Sequence, residues 1–123
     1  MVVYPQDLAK FGYLCLNNGT VAGRSIFPSE WVKTSTQPHV YPLDNWGDFR
    51  NVSYGYFWWT AKWNADSVFM AVGFGGQFII CVPTLNVVVV ITCDQNCTPA
   101  QADLRQLSLL DIVSKKILSS MKS

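Results

Sequence analysis

Apolar residues near the start of the chain recur at helical spacing. Leu8, Phe11 and Cys15 form the stripe and Leu14 widens it. Pro5 suits a first helical turn, Asp7 complements the N-terminal dipole, and Asn17-Asn18-Gly19 suits the end. A short second helix fits residues 28–35, and Pro38 forbids much continuation. Residues 41–53 mix proline, glycine, aspartate and asparagine and are expected to form a long loop. The pattern then turns to strands. Residues 54–60 are aromatic and extended, 62–66 supply a turn, and 67–72, 77–82 and 87–92 are rich in apolar, mostly β-branched residues. Pro83-Thr84-Leu85-Asn86 is too short a connection for anything but antiparallel pairing. Thr98-Pro99-Ala100-Gln101 starts the last helix as a capping box, and Leu104, Leu107, Leu110, Ile117 and Met121 mark its expected apolar stripe. The expected class is α+β: an antiparallel sheet of three to four strands, packed with N-terminal helices and a C-terminal helix, all in one domain over 1–123.

Composition narrows the function. Half of the 123 residues are hydrophobic and 14% are charged, which fits a well-buried fold. Net charge is +1 and the basic residues are scattered, so nothing suggests a nucleic-acid surface. The longest apolar runs, 78–82 and 87–91, are far too short to span a bilayer. No secretory signal pattern opens the chain. With His39 as the sole histidine and no second CxxC pair, zinc is a poor fit, and no cofactor is implied. Cys15 and Cys81 sit in apolar patterns. Cys93 and Cys97 bracket a polar turn and are either free or bridged; a bridge would indicate an oxidising compartment.

The stretch that carries chemistry joins the second and third of these runs. Gly73, Gly75 and Gly76 flank Phe74, ahead of Gln77-Phe78-Ile79. Glycines there permit close approach of a ligand to backbone N–H groups. The same spacing also suits a plain glycine-rich hairpin turn. A dinucleotide fingerprint fails, because Phe78 takes the place of its third glycine.

Three ordered pieces resemble the C-terminal half of the serine β-lactamase-like family: class C β-lactamases, penicillin-binding proteins, esterases and 6-aminohexanoate-oligomer hydrolases. They are Asp7-Leu8-Ala9-Lys10-Phe11-Gly12 with Gly19 and Ser29-Glu30-Trp31-Val32; Tyr54-Gly55-Tyr56-Phe57-Trp58-Trp59; and Gly73-Phe74-Gly75-Gly76-Gln77 with Pro83 and residues 87–91 behind it. The resemblance implies a partial β-lactamase/transpeptidase-like fold. It also implies acyl transfer through the serine of a Ser-x-x-Lys motif. The position of the family's Lys-Thr-Gly reads Ala71-Val72-Gly73, so the lysine and threonine that favour a substrate carboxylate are replaced. That departs from an efficient β-lactamase and leans towards an esterase or amidase. The resemblance assigns one oxyanion-hole N–H to Phe74 and places Ala71, Val72, Gly73 and Gly75 along the substrate.

The nucleophile is missing. Ser119-Ser120-Met121-Lys122 is the only formal Ser-x-x-Lys, and it follows the strands instead of preceding them. No Tyr-x-Asn or Ser-x-Asn occurs. The expectation is a fragment that lacks the family's nucleophile-bearing N-terminal portion and is inactive alone. The alternative is a non-catalytic module of the same fold that binds a partner or itself. Tyr41 and Trp46 are the pocket-rim candidates. Alternation means Trp58 and Trp59 face opposite sides of a strand. His39, Ser53 and Ser119 lack any base–orienter arrangement. The expected partners are a small ester, amide or peptide substrate, the missing portion, and a second copy paired along the strand at 87–92. The family's common site is periplasmic or secreted, with the cytoplasm as the alternative.

Overall fold

A computed structural model of the chain describes residues 4–73, 77–93 and 96–121, with Pro42 and Leu43 described in backbone only. The order is α1 (Pro5–Leu16), β1 (Thr20–Val21), β2 (Arg24–Ser25), α2 (Ser29–Ser35), β3 (Val40–Trp46), β4 (Phe49–Tyr54), β5 (Trp59–Trp63), β6 (Asp66–Gly73), β7 (Gln77–Val82), β8 (Val87–Ile91) and α3 (Pro99–Ile112). The last helix continues as π-helical turns over Val113–Leu118 and ends in an α-turn, Ser119–Met121. The class is α+β. Strands β3 to β8 form one antiparallel six-stranded sheet in sequence order, and β1–β2 form a separate small hairpin.

The sheet is wider than its sequence pattern suggested. Residues 41–53 are not a long loop but most of the β3–β4 hairpin, closed by Gly47 at φ 61° between the paired Trp46 and Phe49. Pro42 is tolerated because β3 is an edge strand. Register shifts in β3 and β4, and Asn51 at φ 55°, break the period-2 alternation that would have marked them. Nor do residues 54–60 form one strand. Tyr54 ends β4, and Gly55 to Trp58 turn the chain into β5. Gly55 has no room for a side chain, since a Cβ there would lie 2.6 Å from the Gln37 carbonyl oxygen.

Alternation splits the sheet into two cores. Phe49, Val52, Ala61, Trp63, Val68, Met70, Phe78, Ile80 and Val82 face the C-terminal helix and meet Leu110, Val113 and Leu118. Trp58, Phe69, Ile79 and Cys81 face the other way and meet Cys15 of α1 and Val32 of α2. Trp58 and Trp59 accordingly take opposite sides, with Trp59 packed against the first core. Helix α1 lies directly on β7 and β8. The Thr98–Gln101 capping box forms with both arms. The apolar stripe of the last helix differs from the sequence expectation. Leu110 is buried and Ile117 packs against the core as expected, but Leu104, Leu107 and Met121 are exposed, and Ala102, Val113 and Leu118 are buried instead.

Candidate functional site

The glycine-bearing end of β6 is the point to which the sequence motifs lead. Pairing with β7 runs in register through Ala71↔Ile79, Val72↔Phe78 and Gly73↔Gln77. Ala71 packs towards α1 and Val72 towards α3, so neither side chain is free for a ligand's carboxylate. Phe74 and Gly75, the expected oxyanion donor and its neighbour, lie outside the described residues.

Two glutamines hold the base of this hairpin. Gln106 of α3 reaches Gly73 O from Nε2 at 3.4 Å, and Gln77 Nε2 donates to Cys93 O just after β8. The first aligns α3 with the strand end, and the second ties β7 to the segment beyond β8. Neither glutamine was singled out from the sequence; Gln77 belonged to the glycine motif, and Gln106 carried no signal.

Gln106 also lines a cavity of about 450 Å³ with Asp44, Asn45, Trp46, Phe78, Asp103, Leu107 and Leu110. Its floor is aromatic and aliphatic, and its rim bears two carboxylates and two amides. Trp46 is thus a cavity wall, although it stands on a strand and not on a loop. Its ring lies 5.1 Å from that of Trp59, which also meets Tyr54 edge-on at 4.7 Å. Tyr41 is elsewhere. It lines a cleft on the other face of the sheet, beside Ser53, Thr60 and Lys62, and a shallow aromatic cavity with Val40, Tyr54 and Trp59. The two rim candidates therefore serve different cavities.

The remaining nucleophile and base candidates are engaged structurally. His39 Nε2 lies 2.7 Å from Thr34 O, so that nitrogen carries the proton, and the ring stacks on Tyr56 at 4.2 Å. Ser53 is buried and donates to Asn51 O, and Ser119 donates to Lys115 O. Burial pushes the Cys15 thiol up to about 11 and the Cys81 thiol up to about 12, so neither is a thiolate nucleophile at neutral pH. All four cysteines are free, Cys93 and Cys97 included. Among the described residues no cluster of three or more His, Cys, Asp or Glu gathers to hold a metal, and no helix is long and apolar enough to cross a membrane.

No protein-family model matches the chain, and no curated protein matches it either. The family resemblance rests on the ordered motifs alone.

Proposed function

We propose that the chain is the C-terminal portion of a β-lactamase-related serine hydrolase that cleaves esters or amides through an acyl-enzyme. In this reading β6 is the wall beside the substrate, Phe74 supplies one oxyanion N–H, and the nucleophile comes from a preceding portion. The observation that carries it is the β6–β7 pair. It stays in register to Gly73↔Gln77, is joined by only three residues, and is backed by helices on both faces of the sheet. A strand end held that firmly is suited to present backbone N–H groups at a fixed place. Ala71 and Val72 favour substrates without the carboxylate that β-lactams carry. Placement outside the cytoplasm accords with the resemblance.

A fluorophosphonate serine probe read by intact mass, with turnover of a p-nitrophenyl ester, tests the proposal. The chain alone is expected to give neither adduct nor turnover. Expressed together with the coding sequence that precedes it, it is expected to give one adduct and turnover. An adduct with turnover on the chain alone, or neither signal in the longer protein, overturns the proposal.

A second reading, a non-catalytic self-associating module, is favoured by one feature. β8 is a sheet edge of four valines and an isoleucine, without proline or charge, and all five are half-buried. Such an edge is a template for a second strand. Concentration-dependent association in sedimentation equilibrium supports this reading, and a monomer at high concentration removes it.

A further inference from the structure

The face of the sheet that packs on α1 and α2 is not apolar throughout. Over β4 and β5 it opens into a cleft of about 400 Å³ lined mostly by polar residue types. Thr60 and Lys62 alternate along β5 and so share this face. Ser53 stands directly across from Thr60, and Ser67 directly across from Lys62. Thr36 and Gln37, at the end of α2, close one side, and Asn51 another. Ser53 and Thr60 are buried and form the floor.

The charge in this cleft is one-sided. Lys62 is the sole charged residue in its lining, and no carboxylate is present there. The Lys62 ammonium donates to Ser67 Oγ at 2.7 Å and makes no ion pair among the described residues. Arg50 stands directly opposite Lys62 across the β4–β5 pair, and it makes no ion pair there either. Arg50 also lines a separate cleft with Asp48, Trp63, Ser114 and Lys115. Like charges opposite one another across an antiparallel pair repel, and an anion nearby relieves that cost.

The helix end beside the cleft would normally oppose an anion. Here three of its last carbonyl groups already accept hydrogen bonds. Val32 O accepts from Thr36 Oγ1, Thr34 O from His39 Nε2, and Ser35 O from the Tyr56 N–H. The Thr36 and Ser53 hydroxyls already donate to Val32 O and Asn51 O, so the donors left in the lining are the Lys62 ammonium, the Tyr41, Thr60 and Ser67 hydroxyls, and the Gln37 and Asn51 amides.

We infer that this cleft binds a small oxyanion, the carboxylate or phosphoryl group of a small molecule, with Lys62 as its charge partner and the surrounding hydroxyls and amides as donors. The site is independent of the hydrolase reading. It lies towards the opposite end of β6 from Gly73, since its contribution from that strand is Ser67.

The test is a titration of the protein with sodium phosphate and with sodium acetate, followed by backbone amide shifts and compared with sodium chloride at equal ionic strength. Saturable shifts confined to residues 36–37, 51–53, 60–62 and 67 are expected with at least one oxyanion and not with chloride. The arm that saturates tells phosphoryl from carboxylate recognition. Lys62→Gln, exposed and outside both cores, should weaken binding by about tenfold or more. Lys116→Gln, which removes the same charge from the last helix, should leave it unchanged. Shifts equal in chloride, or binding retained in Lys62→Gln, overturn the inference.

Discussion

Trp63 Nε1 donates to Ser114 Oγ at 2.8 Å, joining β5 to the π-helical turns across 51 residues of sequence. Ser114 Oγ in turn donates to Asp48 Oδ2 at 2.6 Å, so one hydroxyl links strand, helix and the β3–β4 turn. The wider π-helical turn sits where that hydroxyl enters the core.

Ser114→Ala removes this junction while leaving the backbone free to keep its helix. Ser114 and Trp63 are both buried, so the indole N–H loses a partner away from water. The expected cost is about 1–3 kcal/mol in urea unfolding, with an unchanged slope. Ser114→Thr, which keeps the hydroxyl, should recover part of it.

The capping box at α3 was legible in four letters, Thr98-Pro99-Ala100-Gln101, and both of its hydrogen bonds form, at 2.9 and 3.2 Å. Thr98→Ala should therefore lower stability by about 0.5–2 kcal/mol. Gln101→Ala should cost less, because it removes only the reciprocal arm. Equal stability of Thr98→Ala and the parent in chemical denaturation would show the cap to be silent.

Legibility followed how far each element depends on local rules. β7 and β8 are mainly apolar runs separated by Pro83 to Asn86, and the structure bounds them within a residue of the pattern. The β3–β4 hairpin was hidden because its polar residues do not simply face solvent. Asn51 and Ser53 line a cleft, and the register shifts around them remove the alternation. On the last helix two stripes have helical spacing. The one through Ala102, Leu110 and Val113 is buried. The bulkier Leu104 points out, and only three-dimensional packing distinguishes the two. Of the segment holding the candidate site, the strand through Ala71 and Val72 was readable from its apolar run. Gln106, which binds Gly73 O, was not, because its role depends on where α3 lands.

Gly12 sets the distance between α1 and the sheet. A Cβ on Gly12 would lie 2.7 Å from Val88 Cγ1 and 2.8 Å from Ile79 Cγ2. Gly12→Ala gains helix propensity of about 1 kcal/mol, but the overpacking costs about 1–3 kcal/mol, so net destabilisation is expected. Val88→Ala in the same chain should relieve part of it, giving a double mutant less destabilised than the sum of the singles. Additivity within error would place the strain elsewhere.

The buried thiols make stability depend on alkaline pH. Burial raises Cys15 from 9.0 to about 11, and burial raises Cys81 further, to about 12, with a lesser push from the neighbouring Cys15. The folded state therefore holds these protons more tightly than the unfolded chain does. Between pH 9 and 12 the unfolded state has lost protons that the folded state keeps, so stability falls as pH rises through that window. Below pH 9 both states are protonated at these sites, and their contribution is flat. Urea midpoints should accordingly decline above pH 9, and Cys15→Ala should make the decline shallower. Iodoacetamide at pH 8 reads the same burial by rate. Cys93 and Cys97, both half-buried, should be modified first, and Cys15 and Cys81 only as the chain opens. Labelling of Cys81 as fast as Cys97 in the native protein would mean that α1 does not stay seated on β7 and β8.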